Sequence, residues 1–87
     1  DASFCGPAAT LNGTQDQVGS SANWIQVSGP VGGTTSINNS GAFVTNVSLT
    51  GNPKVYGTYE FELTETLNGC SDSESVLIKL RFFFSSK

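Results

Sequence analysis

The clearest pattern of hydrophobic and polar positions in this 87-residue chain runs through residues 57–66. Tyr59, Phe61 and Leu63 stand at alternate positions, and threonine or glutamate fills the positions between them. A period of two residues is typical of a strand with one buried and one solvated face. The pattern therefore predicts a central strand that buries Tyr59, Phe61 and Leu63.

A second long strand is predicted directly after this one. Asn68-Gly69 is a strong signal for a two-residue hairpin, because both positions tolerate positive φ. The strand that follows, over residues 73–83, alternates less cleanly. Three consecutive phenylalanines at 82–84 cannot all be buried by a strand, so at least one is expected to be exposed or to pack on a neighbouring module. The face expected to be buried consists of Val76, Ile78, Leu80 and Phe82.

Shorter alternating stretches upstream complete the set of predicted strands. A stretch around Ile37 fits either a short edge strand or a loop. Ile25 and Val27 lie on the face of this strand opposite Trp24. Either Trp24 faces the core, or Ile25 and Val27 do, or the strand packs on both sides; we favour Trp24 as the buried residue. The other expected strands cover residues 1–7, 8–14, 23–28 and 43–50, with Phe4, Ala9, Leu11, Gly13, Phe43, Val47 and Leu49 directed inward.

Composition supports an all-β fold. Helix formers are scarce, and glycine, serine, threonine, asparagine and valine dominate. At 87 residues the chain is expected to be one domain, 1–87, with a core near the lower size limit for independent stability.

Cys5 and Cys70 are the two cysteines. In a small domain rich in serine and threonine, two distant cysteines favour a disulfide formed in an oxidising compartment, and two separate buried thiols are the alternative. A bridge closing so long a loop would stabilise the domain by about 4 kcal/mol.

Charge and hydropathy exclude several classes of partner. The net charge is −3 and the four basic residues are scattered, so nucleic acid is not expected to bind. No apolar run approaches the ~20 residues that span a bilayer, so we expect no membrane insertion. No signal-peptide pattern is present, so any signal peptide is expected to have been removed or to lie outside this sequence.

The order of these features resembles a known family. Trp24-Ile-Gln-Val-Ser-Gly-Pro30, the strand over residues 57–64 and Ser71-Asp-Ser-Glu-Ser-Val76 resemble PKD-like modules. Cys5, Ala9-Thr-Leu-Asn-Gly13 and Asn68-Gly-Cys-Ser-Asp72 resemble the cysteine-bearing version in large surface adhesins and secreted proteins of Bacteroidetes-type bacteria. The resemblance implies an immunoglobulin-like, two-sheet antiparallel sandwich of about seven strands.

The same resemblance implies a non-enzymatic structural or adhesive module at the cell surface or in a secreted protein. Its expected partners are neighbouring modules of the same chain and a surface polysaccharide or protein. The alternative is a carbohydrate-binding or accessory module of a secreted hydrolase, which would need an exposed aromatic platform at Trp24.

Catalytic chemistry is poorly represented in the sequence. There is no histidine, which excludes Ser-His-Asp and Cys-His nucleophile systems. Glu60 and Glu62 share a face and fit a solvated surface better than a glycosidase pair. Glu65 falls on the inward side and is expected at the rim of the sandwich, because a buried isolated carboxylate is costly.

Two further site hypotheses concern individual side chains. Asp72 and Glu74, with Asp1 or Asp16, are candidate calcium ligands, although no spaced ligand motif is present and Asp72 could instead cap the Asn68-Gly69 turn. No other cofactor is expected. Tyr59 fits either a tyrosine corner, with its hydroxyl bonded to nearby backbone, or an ordinary core position.

Overall fold

A computed structural model describes residues 2–81 of the chain. Their regular secondary structure consists of seven β-strands in two sheets, so the prediction of an all-β fold is confirmed. No helix long and apolar enough to cross a membrane occurs among residues 2–81. The strands are β1 (Ala2–Cys5), β2 (Ala8–Asn12), β3 (Ser21–Ser28), β4 (Thr34–Ile37), β5 (Val44–Thr50), β6 (Gly57–Leu67) and β7 (Cys70–Arg81).

One sheet has the strand order β1-β7-β6-β3 and the other has the order β2-β5-β4. The alternating strand β6 lies inside the four-stranded sheet, between β7 and β3. Buried side chains of both sheets form a single hydrophobic cluster, so the two layers are compatible with a sandwich. The core residues are Ala9, Leu11, Ala22, Trp24, Val47, Leu49, Tyr59, Phe61, Leu63, Ile78 and Leu80.

The expectation of an antiparallel arrangement throughout is wrong at one pair of strands. β1 runs parallel to β7, with Ala2 opposite Ile78 and Cys5 opposite Arg81. Antiparallel neighbours are usually joined by a short turn, whereas parallel strands need a long connection. β1 and β7 are the first and last strands described, so the whole intervening chain serves as that connection.

The hairpin between β6 and β7 is confirmed. Asn68 and Gly69 have φ values of 53° and 81°, as a two-residue turn between antiparallel strands requires. β7 starts at Cys70, three residues before the predicted start. The reason is that its first six residues are all exposed, so hydrophobic periodicity does not reveal them. Phe82, Phe83 and Phe84 lie outside the described residues.

The structure also settles the alternatives left open upstream. Trp24 is buried, with 3% of its surface exposed, whereas Ile25 and Val27 are 45% and 50% exposed. Ile37 ends a short edge strand, β4, which pairs with β5. Phe43 and Phe4 are only partly buried against the core. Thr45 shares the inward face of β5 and is buried, accepting a hydrogen bond from the Asn39 N–H.

Candidate functional site

Cys5 and Cys70 lie at opposite ends of the four-stranded sheet. Cys5 is opposite Arg81, the last residue of β7, whereas Cys70 is the first residue of that twelve-residue strand. A strand of this length spans roughly 36 Å, but a disulfide requires Cα atoms within about 7 Å of each other. The predicted bridge is therefore wrong. Both thiols are free and exposed, so the alternative of two buried thiols is wrong as well.

We call the end of the sheet at Asn68, Gly69 and Cys70 the hairpin end. The loop of residues 13–20 reaches the same end, because β3 begins with Ser21 opposite Thr66. A cleft of about 480 Å³ opens there. Its lining consists of Asp16, Gln17, Glu65, Leu67, Asn68, Cys70, Ser71 and Asp72.

Glu65 connects this loop to β6. Its Oε2 accepts hydrogen bonds from the Ser20 hydroxyl at 2.6 Å, the Gln17 N–H at 2.9 Å and the Asp16 N–H at 3.0 Å. The Ser20 and Gln17 bonds are the main causes of a lowered pKa at Glu65, because they stabilise the charged form. The prediction that Glu65 sits at the rim is confirmed. Its role as an anchor for a loop more than 40 residues away was not foreseen.

The calcium candidates come near one another without forming a metal cage. Asp72 lies opposite Glu65 in the β6–β7 ladder, and Glu74 lies opposite Leu63. Asp16, Asp72 and Glu74 line one narrow crevice with Glu65. Within residues 2–81, however, no group of three or more histidine, cysteine or acidic side chains is arranged to hold a metal ion. Asp1 lies outside the described residues.

Asp72 is bonded locally. Its Oδ1 accepts a hydrogen bond from the Ser73 N–H at 3.1 Å. This bond is to the next residue along β7. Among the described residues, no hydrogen bond joins Asp72 to the Asn68-Gly69 turn, so the predicted alternative of a turn cap is not seen.

Tyr59 forms the corner interaction. Its ring is fully buried, and its hydroxyl donates a hydrogen bond to the Val55 carbonyl four residues upstream. Burial raises the pKa of Tyr59. Two glycines pack on this side chain: a Cβ at Gly33 would clash with the Tyr59 hydroxyl oxygen, and a Cβ at Gly29 would lie 2.6 Å from the ring Cδ2. Tyr59 thereby fixes both the loop before β6 and the turn after β3.

The remaining predicted core residues occupy the expected places. Phe61, Leu63, Ile78 and Leu80 are buried, and Val76 packs against the cluster as a partly buried residue. Trp24 donates its Nε1–H to the Phe43 carbonyl at 3.3 Å. Because Trp24 is buried, it cannot offer an aromatic platform to a sugar ring. The large hydrophobic side chains exposed among residues 2–81 are all aliphatic: Val18, Ile25, Val27, Val31, Val44 and Leu77.

The parallel contact of β1 with β7 is a structural feature that the sequence did not predict. Gly6 extends the contact by donating its N–H to the Arg81 carbonyl at 2.8 Å. β1 is too short and too exposed to carry a periodic signal, so nothing in its sequence indicates its partner or direction. The contact joins the two ends of the described chain side by side.

Comparison with known proteins supplies no identification. No protein-family model, curated protein or solved structure matches the chain.

Proposed function

We propose that the chain is an immunoglobulin-like, PKD-like module that serves as a non-enzymatic, load-bearing structural unit of a bacterial cell-surface or secreted protein. The observation that carries the proposal is the parallel β1–β7 ladder. Tension applied at the two ends of the chain pulls β1 and β7 in opposite directions along their length. All hydrogen bonds of the ladder then resist together, because sliding the strands must break them at once.

Several other features support an immunoglobulin-like module. Four strands oppose three around one core, a tryptophan is buried on the third strand, and a tyrosine bonds back to the loop before its strand. The absence of histidine from all 87 residues supports a role without catalysis.

The extracellular location is proposed on composition and on the resemblance to surface modules. The disulfide no longer contributes to this argument, because the two thiols are far apart. Partners are proposed to be neighbouring modules of the same chain, with adhesion to a surface polysaccharide or protein as a further role. The alternative of a sugar-binding accessory module loses its support, since it required an exposed Trp24.

Force spectroscopy on a polyprotein containing this module tests the load-bearing role. The variant Lys79→Pro removes an N–H from the edge of β7 that pairs with β1. Ser75→Pro removes an N–H from the same edge at a position where no strand of residues 2–81 pairs with it. We expect Lys79→Pro to lower the unfolding force clearly and Ser75→Pro to leave it almost unchanged. If both variants unfold at the wild-type force, the ladder does not bear the load.

A further inference from the structure

In the described part of the chain, much of the outer edge of β7 has no partner strand. β1 begins opposite Ile78, so within residues 2–81 the segment of residues 70–76, which we call the open edge, pairs only with β6. Residues 70–75 are all exposed. At the other side of the sheet, β3 is less available for pairing. The Trp24 N–H already donates to the Ser40 carbonyl, and a bulge between Gln26 and Ser28 interrupts the strand.

The backbone groups that point outward from the open edge follow from the hydrogen-bond pattern. Arg81 directs its carbonyl toward β1, where it accepts from the Gly6 N–H. Strand residues alternate in the side to which they direct their backbone groups. Ser71, Ser73 and Ser75 therefore present both N–H and C=O to the outside. Within residues 2–81, these outward groups make one hydrogen bond, which the Ser73 N–H donates to Asp72 Oδ1.

Such an edge is a template for an added strand. The charges around it restrict which strand can pair. Every charged side chain on the open edge and on the paired stretch of β6, residues 61–67, is acidic. These side chains lie on both faces of the sheet: Asp72, Glu74 and Glu65 on the core side, and Glu62 on the outer side.

A second copy of this chain is a poor occupant for electrostatic reasons. Antiparallel pairing of two open edges centred on Ser73 would set Asp72 of one copy opposite Glu74 of the other. Centring on Glu74 would set two glutamates face to face. Like charges directly opposite each other destabilise a strand pair, so the acidic residues protect the edge against self-pairing.

We propose that the open edge of β7 binds an extended segment of another polypeptide that carries lysine or arginine at alternate positions. The partner's backbone would pair with Ser71, Ser73 and Ser75. Its basic side chains would lie beside Asp72 and Glu74 on one face of the sheet, or extend across Ser75 toward Glu62 of β6 on the other. This binding surface goes beyond the load-bearing role and does not depend on it, since the β1–β7 ladder lies further along β7.

Amide-resolved NMR with two blocked ten-residue peptides tests the proposal, one alternating lysine with valine and the other glutamate with valine. We expect the lysine peptide to slow amide hydrogen exchange at Ser71, Ser73 and Ser75, and to bind more weakly as salt is raised. We expect the glutamate peptide to have no effect. Equal binding of both peptides, or no protection at these amides, would overturn the proposal.

Two matched proline variants test where the peptide pairs. Ser73→Pro removes an outward N–H of the open edge, and we expect it to weaken lysine-peptide binding at least about tenfold. Ser3→Pro, in the exposed strand β1, should leave binding within about twofold. The double variant Asp72→Asn/Glu74→Gln should weaken binding several-fold.

Undiminished binding by Ser73→Pro would contradict the proposed surface. Protection of the same amides without peptide, growing with protein concentration, would identify a second copy as the occupant instead. The wild-type exchange pattern decides the question even if a proline variant does not fold.

Discussion

Tyr59 provides the sharpest test of how the loops around β6 are held. The substitution Tyr59→Phe keeps the buried ring and removes only the hydroxyl that donates to the Val55 carbonyl. Loss of this bond, with the carbonyl left without its partner, should lower the free energy of unfolding by about 1–3 kcal/mol. For a domain of this size, each kcal/mol corresponds to a fall of roughly 4–8 °C in Tm.

Two glycines make the prediction specific to the hydroxyl. Gly33→Ala places a methyl group against the hydroxyl oxygen, whereas Gly29→Ala places one 2.6 Å from Cδ2 and 2.8 Å from Cε2 of the ring. Each clash should cost about 1–3 kcal/mol in the wild-type background. In the Tyr59→Phe background, the cost of Gly33→Ala should fall by about 1 kcal/mol, because the oxygen it meets is gone. The cost of Gly29→Ala should not change, since the ring remains.

Urea denaturation followed by Trp24 fluorescence measures all these free energies, because Trp24 is the single tryptophan and is buried. If Tyr59→Phe changes the costs of Gly33→Ala and Gly29→Ala by the same amount, then the ring of Tyr59, and not its hydroxyl, determines how closely the two glycines pack. An unchanged free energy of unfolding in Tyr59→Phe would refute the contribution assigned to the corner.

Three further predictions concern ionisation and the thiols. Because the pKa of Glu65 is lowered, its bonds to the loop stabilise the fold at pH values above the ordinary pKa of 4.5, and this stabilisation is lost as the pH falls below 4.5 toward the lowered pKa. Glu65→Gln should therefore make stability decline less steeply in acid. It should also speed amide hydrogen exchange at Gln17. Because the pKa of Tyr59 is raised, the neutral buried phenol stabilises the fold fully below pH 10, and this stabilisation is lost as the pH rises above 10. The urea midpoint should therefore fall less steeply with rising pH in Tyr59→Phe than in the wild type. Cys5 and Cys70 should both react with a thiol reagent in the folded, non-reduced monomer, and an intact mass two hydrogens lower with no reaction would contradict their separation.

The strand pattern was predictable wherever one face of a strand is buried. β6 and the second half of β7 alternate because their inward side chains enter the core, so Tyr59, Phe61, Ile78 and Leu80 were found from periodicity alone. The Asn68-Gly69 turn was predictable for a different reason, since both residues accept positive φ.

The relations between distant segments were not predictable in this way. Whether Cys5 meets Cys70 depends on the direction and register of β1 against β7, which neither strand records in its own residues. The bonds of Glu65 to Gln17 and Ser20 likewise depend on where the loop comes to rest. Residues 70–75 of the open edge are exposed on both faces of the sheet, so they carry no periodic signal of being a strand.

Comparing two pulling directions tests the load-bearing role most directly. Force applied through the two chain ends shears the β1–β7 ladder, whereas force applied between Cys5 and position 81 peels its paired residues apart one after another. Arg81→Cys supplies the second attachment point for the peeling geometry, and Cys70→Ser removes the competing thiol. Because Cys5 and position 81 lie opposite each other, the protein is kept reduced until both thiols are attached. We predict that pulling through the ends unfolds the module at a clearly higher force. Equal forces in the two directions would contradict the role assigned to the ladder.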